Sequence, residues 1–201
     1  MKLFYKAGAC SLASHITLVE SGLPFDIEAV DLQTKLTASG ADFLQINAKG
    51  YIPALQLNSG EVLTEGPAIL QYIADQTLVA RLAPVNGSIE RYRMQGWLNF
   101  IGTELHKNCS PLFNPAASSD WKAASMANLK RRLDYVAQQL EQTHYLLGDA
   151  FSIADAYLFA VLGWAPYIDL DLGKWPALVA YQARVGARAS VQTAMKAEGL
   201  I

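Results

Sequence analysis

The hydrophobic positions of this chain change period several times. Leu3, Phe4 and Tyr5 form a short apolar run suited to a strand, and Leu12, Ile16 and Val19 recur at helical spacing until Gly22. Phe25, Ile27 and Ala29 then alternate, as a strand with one buried face requires. Strand, helix and strand in that order predict a βαβ unit with a right-handed crossover. Thr34 to Phe43 has no clean period and reads as a weak helix or an irregular loop. Ala54 to Leu57 and Glu61 to Thr64 are β-suited runs separated by Asn58-Ser59-Gly60, whose Asn and Gly supply tight-turn conformations, so an antiparallel hairpin is predicted. Pro53 cannot donate to a ladder and belongs at the strand's start, and Ile52-Pro53 is a candidate cis bond that exposes the Ile52 backbone. Ile69, Leu70, Tyr72 and Ile73 return to helical spacing, with Pro67 accommodated in the first turn.

Periodicity fails between Thr77 and Ser88, where Pro84, Asn86 and Gly87 mark a boundary. The predicted organisation is therefore an α/β domain over residues 1–79, a linker over 80–87 and an all-helical domain over 88–201. The order β-α-β-α-β-β-α in the first of these is the thioredoxin-like arrangement. In the second, Trp97, Leu98, Ile101 and Leu105 line an apolar face, while Asn99, Thr103 and His106 make a polar stripe suited to a cleft or to a solvent-facing side. Asn108 to Asp120 contains two prolines and reads as a loop, with Asp120 capping a long helix on which Met126, Leu129, Leu133, Val136 and Leu140 repeat. Ser152-Ile153-Ala154-Asp155 is a capping pattern, so Ser152 and Asp155 are structural residues opening a central buried helix, Ala154 to Ala165. Trp175-Pro176 opens a further helix, and Val191 to Ile201 is an amphipathic tail.

Two places carry chemistry. Cys10 lies at the N-terminus of the first helix, where the helix dipole stabilises a thiolate and lowers the thiol pKa. Cys10-Ser11-Leu12-Ala13 holds one thiol only, so any disulfide partner is external; a buried structural Cys is the plainer reading. At the other place, free N–H groups at Gly66 suit a carboxylate and Glu65 suits an ammonium group, so the pair matches an α-amino acid head group. The plainer reading there is a Glu that favours the helix dipole. Cys109 reads as structural.

Composition narrows the class. With 52% hydrophobic and 17% charged residues among 201, the chain buries a substantial core. A net charge of -2 gives no electrostatic footprint for nucleic acid, and no apolar run is long enough to cross a bilayer. Met1-Lys2 is followed at once by Leu3-Phe4-Tyr5 with no apolar h-region, which predicts a cytoplasmic protein, and Cys10 and Cys109 make no disulfide framework and are expected as reduced thiols. No Cys and His spacing suggests a metal site.

The segments MKLFYKAGACSLASHI, KGYIPALQL, VLTEGPAILQYIAD, LAPVN, WLNFI, TELHK, FSIADAYLF and AEGLI together resemble the cytosolic glutathione S-transferases, and among them the bacterial beta class. The resemblance covers essentially the whole chain. It implies a thioredoxin-like N-terminal domain, an all-α C-terminal domain and a homodimer, with glutathione as co-substrate and no other cofactor. Carried over by position, it puts Cys10 beside the glutathione sulfur, Lys35 toward the glycine carboxylate and the Ile52 backbone before Pro53 against the cysteinyl backbone. Glu65 and Gly66 would hold the γ-glutamyl head, while Asn99, Thr103, Glu104, Leu105 and His106 would complete the site, with His106 near the sulfur and Lys107 beside it. Ala7, Val19, Tyr51 and Pro67 depart from residues frequent in the class, and Tyr51 borders the site.

The resemblance implies conjugation of the glutathione thiol to apolar electrophiles. Cys10-dependent thiol-disulfide exchange can share the same site. A non-catalytic binding or scaffold protein is the alternative, since a fold alone does not guarantee activity.

Overall fold

In the computed structural model, the described residues are 1–77 and 81–201. They form two compact units, one of Met1–Ala83 together with Ala187–Ile201 and the other of Pro84–Gly186. The expected boundary between residues 79 and 80 falls outside the described residues.

The first unit contains the expected mixed sheet. Its strands are β1 (Lys2–Tyr5), β2 (Asp26–Asp31), β3 (Leu36–Thr37), β4 (Ala54–Gln56) and β5 (Val62–Thr64), in the spatial order β3-β2-β1-β4-β5. β1 runs parallel to β2, with Leu3 opposite Ile27, and antiparallel to β4, with Leu3 opposite Leu55; β4 continues the rung from Leu55 to Leu63 of β5. Because side chains alternate along a strand, this rung faces one side of the sheet. There Leu3 and Leu55 meet Leu18 of helix α1 (Ser11–Ser21) and Ile69 and Ile73 of helix α3 (Gly66–Gln76). The next residues along, Phe4 and Ala54, turn to the other face and pack with Val30, Phe43 and Ile52, and Cys10 lies against that cluster. Each fully buried aliphatic side chain contributes about 1.5–3 kcal/mol.

The expected βαβ unit, the hairpin across residues 58–60 and the cis Ile52-Pro53 bond are all present. Thr34 to Phe43 is neither a weak helix nor wholly irregular. It holds the two-residue β3 paired to β2, and a single helical turn, α2 (Phe43–Ile46), follows with Asp42 Oδ1 accepting from Leu44 N–H. A two-residue strand is too short to show alternation. The C-terminal helix α9 (Ala189–Ala197) buries Val191 and Ala194 in this same unit and is tied to α1 through Glu20, which accepts from Arg188 and Ser190.

The second unit is helical: α4 (Ile89–Phe100), a π-helical segment (Ile101–His106), α5 (Lys107–Phe113), α6 (Ser119–Gln142), α7 (Ile153–Leu162) and α8 (Pro176–Gly186). All of α7 is buried, as its all-round apolar sequence requires. Its capping box is made: Asp155 Oδ2 accepts from Ser152 N–H at 2.9 Å and from Ser152 Oγ at 2.7 Å. Its other oxygen, Oδ1, accepts from Leu146 N–H and Tyr181 Oη.

Three expectations are corrected here. Asn108 to Asp120 is not a loop throughout, because α5 continues through Pro111, with Cys109 and Pro111 buried. Burial of that face outweighs the backbone bond that the proline removes. The long helix is capped by Ser118, whose Oγ accepts from Trp121 N–H, and Asp120 sits within its first turn. The central helix stops at Leu162 and gives way to a 3-10 turn over Ala165–Ile168.

Candidate functional site

In the first unit the candidate residues lie at the start of α1, at Lys35, around Ile52 and at the start of α3. The loop before α1 is fixed from both sides. Ser11 Oγ accepts from Lys6 N–H at 3.2 Å, and Gly8, at φ 70°, donates its N–H to Glu198 Oε2 at 3.0 Å. A Cβ at Gly8 would sit 3.4 Å from Leu200, so glycine serves both the backbone angle and the close approach. Glu198 is fully buried at its side chain, and its Oε1 lies 2.9 Å from His15 Nδ1.

Cys10 is the residue before the first turn of α1, and its Sγ donates to Ile52 O at 3.4 Å. The expected activation of this thiol is corrected. Burial raises its pKa to about 11, outweighing the N–H groups of Cys10 and Ser11, and the charge of Glu65 pushes the same way. Withdrawal from water disfavours a thiolate more than one helix end favours it.

The backbone around Ile52 and Pro53 is held by Asn47, whose Nδ2 donates to Tyr51 O at 2.7 Å and whose Oδ1 accepts from Lys49 N–H at 3.2 Å. Tyr51 is 70% exposed. Lys35, at φ 59°, donates from Nζ to Gly50 O at 3.1 Å, and two ammonium protons remain beyond that bond. Glu65 precedes α3 with φ 71°, a left-handed conformation unusual for a non-glycine residue, and its exposed carboxylate pairs with Lys49 Nζ at 2.7 Å. The expected run of free donors at Gly66 is shorter than the sequence suggested: Pro67 has none, and Ala68 and Ile69 donate to Glu65 O. Gly66 N–H is the donor remaining at that helix start.

In the second unit, the π-helical segment replaces the regular spacing assumed for the polar stripe. Lys107 N–H donates to Gly102 O, five residues back. Asn99 and Thr103 are exposed, with Thr103 Oγ1 donating to Asn99 O at 3.0 Å. Glu104 Oε2 accepts from Arg132 Nε at 2.6 Å, fastening the segment to α6, and the Leu105 side chain is wholly in the core. Leu105 therefore has only backbone to offer a ligand. His106 Nδ1 lies 2.8 Å from Tyr157 Oη, and its ring packs edge-on against Trp164 at 4.7 Å between centroids. Burial, with a smaller effect from Lys107, lowers the His106 pKa to about 4. The imidazole is neutral at pH 7, and Lys107 beside it is exposed.

Asn47, Lys49, Tyr157 and Glu198 were not singled out in the sequence. Asn47 had a signal, an Asn two residues before Lys49-Gly50 in a turn. The others act through contacts distant in sequence. Among the described residues no group of three His, Cys, Asp or Glu side chains is placed to hold a metal ion, and no helix is long and apolar enough to cross a membrane.

A thioredoxin-like sheet unit with a single thiol at its first helix, in one chain with an all-helical unit, defines the glutathione transferase class of architecture. Residues 7–76 match the glutathione S-transferase N-terminal domain and residues 100–189 the C-terminal domain. Glutathione S-transferase GstA of Escherichia coli O157:H7 is 50% identical over the full length of both chains. Two solved structures cover the whole chain at 48% identity and are themselves wholly covered by it: a sphingomonad glutathione S-transferase complexed with glutathione, at a TM-score of 0.96, and the bacterial beta class enzyme of Sphingomonas chungbukensis, at 0.97. The chain belongs to the glutathione S-transferase family, in its bacterial beta class.

Proposed function

We infer that the chain is a glutathione transferase that joins the glutathione thiol to apolar electrophiles. The observation that carries this reading is the full-length relationship to glutathione S-transferases, one of them solved with glutathione bound. In the proposed reaction the glutathione sulfur, as thiolate, attacks an electrophilic carbon. An S–C bond forms, the bond to the leaving group breaks with its electron pair, and the thiol proton passes to solvent.

The proposed roles follow from what each group can donate or accept. Glu65 takes the α-ammonium of the γ-glutamyl group and Gly66 N–H its carboxylate; Lys35 takes the glycine carboxylate. Ile52 offers backbone to the cysteinyl residue. When the cysteinyl backbone takes up Ile52, the single S–H of neutral Cys10 turns from Ile52 O to the sulfur; neutral His106 donates its ring N–H there, and Asn99 with the backbone of Thr103, Glu104 and Leu105 completes the set. Stabilising the thiolate and holding it beside the electrophile supply the larger part of such catalysis. Glutathione is the co-substrate and no other cofactor is invoked. The protein is proposed to act in the cytoplasm as a homodimer.

The test is conjugation of glutathione to an activated aryl chloride, with calorimetric titration of glutathione. Saturable turnover with release of chloride is expected. Tight glutathione binding without turnover toward a panel of electrophiles would favour the binding-protein reading instead.

A further inference from the structure

His106 is held by two aromatic side chains from one neighbouring stretch of chain, Tyr157 on α7 and Trp164 just after it. Trp164 is braced in turn by Phe113, with ring centroids 5.8 Å apart. The imidazole sits edge-on to both partners, at 71° to Trp164 and 80° to Tyr157, so its plane is fixed. The π-helical segment contributes to this packing: Gly102 lies against Tyr157, and a Cβ there would stand 3.7 Å from its hydroxyl.

We propose that Tyr157 is a positioning residue whose hydroxyl donates to His106 Nδ1 and thereby holds His106 as the Nε2–H tautomer. The direction of the bond follows from acidity. A phenol O–H titrates near 10, whereas a neutral imidazole N–H is a far weaker acid and its bare nitrogen a good acceptor, so the phenol donates. The hydrogen bond at one ring nitrogen decides which nitrogen carries the proton. With Nδ1 occupied as an acceptor, the single N–H of the neutral ring is at Nε2. That is the form able to donate to a thiolate, whereas the opposite tautomer would present a lone pair at Nε2. The neutrality of the ring agrees, since burial disfavours the imidazolium and Lys107 adds a repelling charge. This inference rests on the transferase reading for its role in catalysis and on the second unit alone for its geometry.

The experiment is a long-range 15N–1H spectrum of the histidine rings of the whole protein, which distinguishes the two tautomers directly. The chain has three histidines, and His106→Asn identifies the signals of His106. The wild type should show Nε2 protonated and Nδ1 bare, and Tyr157→Phe should move the ring toward a mixture of tautomers. The same variant should lower kcat for aryl chloride conjugation by about tenfold while KM for glutathione stays within about twofold. A wild-type His106 protonated at Nδ1 overturns the proposal without any variant being made, and so does an unchanged tautomer in Tyr157→Phe. A wild type with the Nε2–H tautomer but no transferase activity overturns the catalytic role through failure of the transferase reading, which separates the two failures.

Discussion

Cys10 Sγ donates a hydrogen bond to the carbonyl oxygen of Ile52 across 3.4 Å, so the thiol at the head of α1 is satisfied in its protonated form. A carbonyl accepts from a thiol and repels a thiolate, which makes this bond work in the same direction as burial.

Alkylation of Cys10 by iodoacetamide should therefore keep accelerating with pH through the alkaline range, following a thiol near 11. A plateau below pH 8 would show an activated thiolate and contradict the burial argument. Cys10→Ala should retain conjugation activity within about fivefold, since the attacking sulfur belongs to glutathione. Intact-mass measurement after exposure to oxidised glutathione completes the test, with slow adduct formation expected at neutral pH.

Glu198 links the loop before Cys10 to His15, with a side chain that solvent does not reach. Glu198→Ala removes the buried acceptor shared by Gly8 N–H and His15 Nδ1 and should cost about 1–3 kcal/mol, read from urea unfolding midpoints. Glu198→Gln keeps one accepting oxygen and should cost less. Equal midpoints for wild type and Glu198→Ala would remove this linkage from the account of the fold.

Glu28 is held well below the ordinary carboxylate range, at about 2, first by the Ser39 hydroxyl and then by Lys2 and Thr37. A carboxyl group with a depressed folded pKa stabilises the protein fully above its unfolded value. That contribution is lost as pH falls from about 4.5 toward 2. The stability gap between wild type and Glu28→Gln should be widest near neutrality and close across this window. A gap independent of pH would assign the loss to packing.

Asp155 is buried and accepts from Ser152, Leu146 and Tyr181. Burial raises its pKa, and these hydrogen bonds oppose the shift. Asp155→Ala strands several buried donors and should destabilise the protein by about 3 kcal/mol or more. Ser152→Ala removes one partner and should cost about 1 kcal/mol. Denaturant titration of the two variants checks the ranking, and a Ser152→Ala protein weaker than Asp155→Ala would refute it.

How far the sequence could be read follows from the distance over which each feature is determined. The hairpin at Asn58-Ser59-Gly60 and the Ser152 and Asp155 box depend on residues within a few positions of each other, so both were legible. The buried face at Ile27 was legible through the alternation of Phe25, Ile27 and Ala29, whereas Leu3, Leu55 and Leu63 lie in short apolar runs that announce a strand without announcing its face. The start of the long helix was misplaced by two residues because Ser118 and Asp120 are both capping types, and only geometry separates them. The helix through Pro111 was missed because its stability lies in packing that a local rule cannot see. The π-helical segment carries no local signature, so the stripe of Asn99, Thr103 and His106 was assigned regular spacing. The resemblance named His106 and Glu65, but not Tyr157 or Lys49, which occupy the unprotonated ring nitrogen and the exposed carboxylate. The Cys10 thiol was left between activation and burial, since a helix end is visible in sequence and desolvation is not.

Gly8 and Glu198 are partners 190 residues apart. A chain leaving the ribosome exposes the sheet residues first, yet the contacts that Glu198 and α9 make with Gly8 and α1 form only after the last residues have emerged from the exit tunnel. The helical unit is one uninterrupted stretch, Pro84–Gly186, and is complete in the nascent chain before then. Synthesis therefore completes the helical unit before the sheet unit, although the sheet unit begins the chain. Of the bonds that hold the loop before Cys10, the one from Gly8 to Glu198 waits for the end of synthesis, while that from Lys6 to Ser11 does not.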